Sequence, residues 1–385
     1  MSRIDELIAE LAPKGVEFKP VGEVTAKSSN IKWVNAGDDE FQYIDLSSVD
    51  RVTRRIGETA SITAGNAPSR AQQIVHTGDV IFATTRPAQM RWAVIPAEYD
   101  GQIASTGYCV LRPDTSVVLT NFLAHILGAD AFRQYVEANQ VAGNYPSIPD
   151  NRVRAYRIPV PPLEVQREIV RVLDQFTQLE AELEAELEAR RRQYEHYRVV
   201  LLNSSDDGGI RDVSLGEIIR LNFGARITKK DNAGTIYPVY GGGGESFRTD
   251  AFNREDEWVI SRFAMSANCV RRVTGKFWML DSGFTFDVTD ATVDKDFVGQ
   301  LLLSMQPTIF ATSTQSAQKN IDVDGFKRLR VQIPSLDTQR RVASALVNFD
   351  GIVNDLSSGL PAELAARRKQ YEYYRDKLLT FTEAA

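Results

Sequence analysis

A large internal repeat constrains this chain more than any other feature. PLEVQREIVRVLDQF (Pro162 to Phe176) is echoed by SLDTQRRVASALVNF (Ser335 to Phe349). Leu163, Gln166, Arg167, Leu173 and Phe176 recur 173 positions later as Leu336, Gln339, Arg340, Leu346 and Phe349. ARRRQYEHYRVVLL (Ala189 to Leu202) recurs 177 positions later as ARRKQYEYYRDKLL (Ala366 to Leu379). The extra four residues are about one helical turn, so the register of a helix face nearly survives. A repeat of this size sets the architecture. Fainter matches precede each copy. Ile148 and NRVRAYRIPVP answer to Ile321 and GFKRLRVQIP, Gly22-Glu23-Val24 to Gly216-Glu217-Ile218, and Thr106-Gly107-Tyr108-Cys109-Val110 to Ser282-Gly283-Phe284-Thr285-Phe286. The order is globular unit (1–160), helical region (161–206), globular unit (207–333), helical region (334–385).

The helical regions carry one apolar stripe each. Ile169, Leu173, Phe176, Leu183, Leu187, Tyr194, Tyr197 and Leu201 keep a spacing near 3.5, as in a coiled coil. Pro161-Pro162 suits a helix start. From Leu163 to Leu202 such a helix is ~60 Å long. Gly359-Leu360-Pro361 predicts a kink or break in the second region. The globular units read as mixed α/β, with short β-rich runs such as VIFAT and EWVIS between Gly, Asp and Asn turns. Segments near Asn121 to Leu127 and Phe297 to Met305 look helical. The expected fold is therefore α+β: two mixed α/β domains joined by two long antiparallel coiled-coil helices, a pseudo-two-fold repeat. Two readers related by a two-fold axis suit one face of duplex DNA. Because the two units differ in sequence, the expected target is asymmetric and bipartite, and the helices act as its ruler.

The chain has 385 residues, and its net charge is −6, which looks wrong for a nucleic-acid binder. Position matters more than sum. Leu163 to Ala189 holds eight acids against two arginines, so everything else sums to zero. Arg51 to Arg91 holds six arginines against Glu58 and Asp79. A basic face on an acidic chain is thus available, and faces decide binding. The sequence has no apolar run long enough for a membrane span and no apolar signal core, and its two cysteines lie far apart, so a cytoplasmic protein is expected.

The candidate DNA contacts follow from residue chemistry. Arg86, Gln89 and Arg91 come after a β-rich run, and Arg and Gln suit bidentate reading of guanine and adenine edges, with ordinary surface residues as the alternative for any one of them. Arg262 holds a similar place in the second unit. Tyr240 with Gly241 to Gly244 reads as a flexible loop, in which Gly242 and Gly243 permit close backbone approach. Arg226, Lys229, Lys230 and Arg248 flank it, a phosphate footprint that a plain solvated hairpin would not need. Asn144 and Tyr145, with Lys319 and Asn320, sit in polar loops before each unit's exit, where turn residues are common whatever the function. The clusters Arg190 to Arg192 and Arg367 to Lys369 read as solvated helix faces.

Catalytic signatures are absent from the sequence. His76, His125 and His196 are isolated from each other and from Cys109 and Cys269, with no metal-ligand spacing. No phosphate-binding loop, glycine-rich cofactor turn, Asn/Asp-Pro-Pro-Tyr/Phe motif or nuclease Pro-Asp with Glu-x-Lys occurs. The alternative is a helical scaffold without sequence-specific reading, which explains the repeat but not the basic loops. A nucleic-acid hydrolase would need carboxylate pairs or a metal site. Salt-sensitive duplex binding separates reader from scaffold, and magnesium-dependent cleavage by the chain alone would mark a hydrolase.

PPLEVQREIV, ARRRQYEHYR, SLDTQRRVAS and ARRKQYEYYRDKLL together resemble the two repeated helical regions of type I restriction–modification specificity subunits. The resemblance covers essentially the whole chain in order and spacing. It implies two target-recognition domains, a DNA-reading and non-catalytic role, and two methyltransferase subunits docked on the helical regions. A motor–nuclease subunit joins for cleavage. It also implies that S-adenosylmethionine, ATP and magnesium belong to those partners, with no cofactor in this chain. The partner-surface candidates are Gln166, Arg167, Tyr194 and Tyr197, with Gln339, Arg340, Tyr371 and Tyr374; the four tyrosines lie at helical spacing and read first as helix–helix core and partly as a partner surface, since exposed aromatics make good anchors.

Overall fold

The computed structural model describes residues 3–203, 209–241, 244–262, 268–314, 320–354 and 359–384. The chain forms two compact units. One is Met1–Leu183 with Leu364–Ala385, and the other is Glu184–Glu363. Three long helices run through them: Leu163–Asn203, Leu336–Asn354 and Leu360–Leu378. The last two fall where the sequence predicts a break, with Leu360 and Pro361 opening the new helix.

In the first unit the strand Val80–Ala83 is buried throughout. It pairs antiparallel with Trp92–Val94 on one side and Tyr108–Pro113 on the other, and Thr25–Lys27 completes the sheet. Alternate residues face opposite layers, as a strand's two-residue period requires. Val80, Phe82, Cys109 and Leu111 pack against Phe122, Leu123 and Ile126 of the helix Thr120–Gly128. Ile81, Ala83, Tyr108 and Val110 pack against Ile44, Val49 and Val75. A second four-stranded sheet, in the order Ala60–Ile62, Phe41–Ile44, Ile103–Ser105, Ala71–Ile74, closes that side. A two-stranded ribbon, Glu17–Pro20 against Arg157–Val160, leads into the long helix.

The second unit repeats the scheme. Its six-stranded sheet runs Ile219–Phe223, Gly283–Val288, Arg254–Ser261, Val270–Met279, Tyr237–Gly241, Gly244–Thr249. Trp258, Ile260, Phe284 and Phe286 face the helix Lys295–Ser304. The ribbon is Arg211–Ser214 against Arg330–Ile333. Strand register corrects one sequence match. Cys109 lies opposite Phe82, and Phe284 opposite Ile260. Gly107 therefore corresponds to Ser282, one position away from Gly283.

The two cores place bulk differently on the same frame. Counting from the paired strands and helix starts, Val80 and Ala124 of the first unit correspond to Trp258 and Gly299 of the second. A Cβ on Gly299 would lie 2.1 Å from the Trp258 indole. Conversely Trp92 lies over Gly128, where a Cβ would sit 3.1 Å from the ring, and the second unit has Val270 and Leu303 there. Each tryptophan thus faces a glycine across the sheet–helix layer.

The apolar stripes serve the globular cores as well as each other. Val165, Ile169 and Leu173 are fully buried in the first unit's core. Leu187, Tyr194 and Leu202 belong to the second unit's core. In the first unit Phe176 stacks on Tyr374 (5.5 Å) and Arg368 pairs with Glu180, so partners descend as the long helix ascends and the contact is antiparallel. In the second, Phe349 meets Tyr197 at 5.8 Å, the counterpart pair.

Candidate nucleic-acid interface

At the end of the strand Val80–Ala83 the Thr84 N–H donates to Gly107 O (2.8 Å), and Thr84 O accepts from the Ile148 N–H (2.9 Å). This ties the polar loop before the unit's exit to the strand end. Beyond it, Arg86 and Met90 both take left-handed backbone, φ 51° and 48°, around the single turn Pro87–Gln89. Such residues cost on the order of 1–3 kcal/mol each and persist only where the surroundings hold them. Here the Arg86 N–H donates to Pro146 O (2.7 Å), and its guanidinium lies 5.0 Å from the Tyr145 ring centroid. Arg54 donates to Met90 O and lies over Trp92, and burial pulls its pKa down to about 10. The loop is therefore fixed. Arg86, Gln89, Arg91 and Tyr145, from two separate stretches, line one cavity of about 390 Å³. Arg70, which the sequence reading did not single out, lines it too. Asn144 is exposed on the same loop.

In the second unit Arg262 takes the place of Thr84. Its N–H donates to Ser282 O and its C=O accepts from Ile321, both at 2.9 Å, and the side chain is exposed. Tyr240 corrects the expected flexible loop. It lies in the strand Tyr237–Gly241, with its ring edge-on to Phe277 (5.6 Å) and its C=O accepting from Leu280. Strand pairing takes up Gly241 and Gly244, the two ends of that glycine run. Gly242, Gly243 and Lys319 lie outside the described residues. Arg226, Lys229 and Lys230 are exposed, the two lysines on the one-turn helix Lys229–Asn232. Arg248 is exposed but engaged, 3.2 Å from both Glu245 and Ile236 O. Asn320 O accepts from Thr314 N, and its Oδ1 is buried with no partner among the described residues. Sequence reading also missed Arg271. It is half-buried, burial lowers its pKa, and its Nη2 donates to Ser261 Oγ at 3.0 Å. Two arginines stand side by side in VRRVTGKF, so strand alternation gave no signal for it.

The helical candidates divide sharply. Gln166 and Gln339 are fully buried, which corrects their reading as a partner surface. Gln166 Oε1 accepts from Leu119 N (2.9 Å) while Nε2 donates to Val117 O (2.9 Å) and Pro161 O (2.8 Å). Gln339 makes the same three bonds, from Asp294 N (2.8 Å) and to Thr292 O (3.0 Å) and Pro334 O (2.8 Å). Each pins a helix start to its own globular unit. Tyr194 is also internal, 3% exposed, and its hydroxyl donates to Gln300 at 3.4 Å. Tyr371 is likewise engaged inside the first unit: its Oη lies 2.9 Å from His125 Nδ1, and His125 Nε2 lies 2.9 Å from Asp174. Tyr197 and Tyr374 remain more than a third exposed, and Arg167 and Arg340 are exposed. The basic clusters are engaged on helix faces: Arg190 pairs with Glu186 and Arg192 with Glu188.

The His125–Asp174 contact has a pH signature. Burial pushes Asp174 up, but hydrogen bonds from His125 and Asn121 outweigh it and leave the carboxyl below its ordinary value. A depressed folded pKa gives stability that is present above the unfolded value, near 4, and lost as pH falls through the folded one. Asp174→Asn should therefore lower the first unit's melting temperature near neutral pH, and the gap to wild type should close towards about pH 3. A pH-independent gap would contradict this.

Among the described residues no helix is long and apolar enough to cross a membrane, and no group of three or more His, Cys, Asp or Glu could hold a metal ion. Residues 8–189 and 209–366 match the family model described as the type I restriction modification DNA specificity domain. The chain is 27% identical to the Escherichia coli type I restriction enzyme EcoR124I/EcoR124II specificity subunit, over 99% of this chain and 98% of the relative. It is 25% identical to a putative type I restriction enzyme specificity subunit of Haemophilus influenzae, over 95% and 96%. Among solved structures, a chain from a study of assembly and conformational transition of the type I R-M system shares the fold (TM-score 0.64, 23% identity, 95% and 98% covered). So does the type I system S subunit of M. genitalium (TM-score 0.60, 13% identity, 95% and 96% covered). With the family model matched over most of its length in two repeats, the chain belongs to the type I restriction–modification DNA specificity family.

Proposed function

We propose that this chain is the non-catalytic, sequence-reading subunit of a type I restriction–modification complex. Residues 1–160 and 207–333 each read one half of an asymmetric, bipartite DNA site. Residues 161–206 and 334–385 set the spacing and dock two methyltransferase subunits, and motor–nuclease subunits join them in the cytoplasm. S-adenosylmethionine, ATP and magnesium act in those partners. Arg86, Gln89, Arg91, Asn144 and Tyr145 would contact the first half-site. Arg226, Lys229, Lys230, Arg248, Arg262 and Asn320 would contact the second, with Gly242, Gly243 and Lys319. Arg167, Arg340, Tyr197 and Tyr374 remain candidates for the methyltransferase surface.

The observation that carries this reading is a repeated frame with unlike reading loops. Both units share a four-strand sheet core, an equivalent helix packed on it and the same buried glutamine brace. At the strand end one carries Arg86, Gln89 and Arg91, where the other carries Arg262 and Arg271. Phosphate contacts fix register, and base-edge contacts carry sequence. Two unlike readers on one frame thus suit two unlike half-sites. Replacing residues 207–333 by the corresponding segment of the E. coli relative should change one half of the methylated motif and keep the other. A change in both halves, or in neither, would contradict the assignment.

A further inference from the structure

We propose that the cavity at the strand end of the first unit reads a guanine edge in that unit's half-site, with Arg70 as a specificity-determining residue beside Arg86 and Arg91. The proposal rests on the DNA-reading function and deepens it.

Three guanidinium groups surround one concavity of about 390 Å³ whose lining contains no aspartate or glutamate. Among the described residues none of the three has a carboxylate partner. Other arginines of this unit do: Arg112 pairs with Asp79, Arg157 with Glu383 and Arg171 with Glu168. Gathering three unpaired cations raises their mutual repulsion unless an acceptor-rich ligand offsets it. Guanine presents two acceptors side by side, O6 and N7, which match the guanidinium fork.

Phosphate is the main competing acceptor on duplex DNA for a cluster of guanidinium groups, and the cavity is built for more than phosphate. Leu46 and Ala83 supply an apolar part of the wall, and Gln89 adds an amide. A phosphate needs neither, while a base has a flat face and an edge. The loop is also held before any ligand arrives. The Arg86 guanidinium sits 5.0 Å from the Tyr145 ring centroid, and its backbone is tied to Pro146. Among the described residues the second unit does not repeat this constellation. There Ser261 stands at the position of Ala83, and Arg271 is turned to its hydroxyl at 3.0 Å. The two half-sites would then be read by different groups at equivalent places.

The test uses the full chain in complex with its methyltransferase subunits, with motifs mapped by genome-wide methylation. The wild-type motif must contain a G·C pair in the half assigned to the first unit. Arg70→Ala and Arg91→Ala, made separately, should each relax the motif at such a pair. Methylation of the original site should fall roughly 10- to 100-fold, with the other half-site unchanged. The unchanged half also reports that the complex is folded, and Arg70→Lys, which keeps charge but loses the fork, should relax the motif as well. An unaltered motif with uniformly weaker methylation and a shallower salt dependence would mean a phosphate contact and overturn the proposal. A first half-site without a G·C pair overturns it outright. Absence of any bipartite motif in wild type would instead overturn the reading function beneath it.

Discussion

Replacing Gln166 by leucine is expected to destabilise the first unit by at least about 3 kcal/mol, because the Leu119 N–H and the Val117 and Pro161 carbonyls would be left buried without partners. Each such group costs about 1–3 kcal/mol. For a unit of this size the melting temperature should fall by roughly 6–12 °C. Gln339→Leu should do the same in the second unit, since its three bonds are equivalent. Each substitution should abolish reading of its own half-site before the other. Thermal denaturation of the full chain checks the first claim. A loss under about 1 kcal/mol would mean that these glutamines do not fix the helix starts.

Gly299→Ala should be similarly damaging, near or above the upper end of the ~1–3 kcal/mol typical of an overpacked core. The new methyl would lie 2.1 Å from the Trp258 indole, which is 2% exposed and held by a 2.8 Å bond from Nε1 to Asp296. Gly128→Ala should cost far less, because its methyl meets the Trp92 ring at 3.1 Å and the ring is half-buried. The first unit also indicates the remedy. It carries valine and alanine where the second has Trp258 and Gly299. Trp258→Val combined with Gly299→Ala should therefore be more stable than Gly299→Ala alone. Non-additivity of this sign is the mark of two residues sharing one volume. Simple addition of the two losses would show that the pair is not coupled.

The repeat made the architecture legible because helices buried on one face must keep their period, and a duplicated face keeps it twice. The break at Leu360-Pro361 and the helices Thr120–Gly128 and Lys295–Ser304 were readable for the same local reasons. The compact units were not readable as blocks of sequence. They divide the long helix, because Ile169 and Leu173 pack into one core while Leu187 and Tyr194 pack into the other. A stripe at 3.5 spacing states that a face is buried, not against what. Gln166 and Gln339 show the same limit. A polar residue on a helix reads as solvent or partner surface, and its acceptors came from loops distant in sequence.

The candidate site was legible in part. Arg86, Gln89, Arg91 and Tyr145 were chosen for their chemistry, and the fold brings them to one cavity. Arg70 escaped notice because only the tertiary fold carries it there. Tyr240 was read into a loop because of the glycines after it, whereas the chain continues its strand and packs the half-buried ring edge-on to Phe277. Arg271 was overlooked because a strand of mixed polar and apolar residues does not announce which side is inward.

The central claim, that this chain chooses the DNA sequence for its partners, is tested most directly by methylation mapping. Genomic DNA would be compared from cells expressing the methyltransferase subunit with and without this chain. The account predicts an asymmetric, bipartite methylated motif that disappears when the chain is omitted. An unchanged methylation pattern, with the complex shown to be assembled, would contradict it and leave the repeated helices as a scaffold.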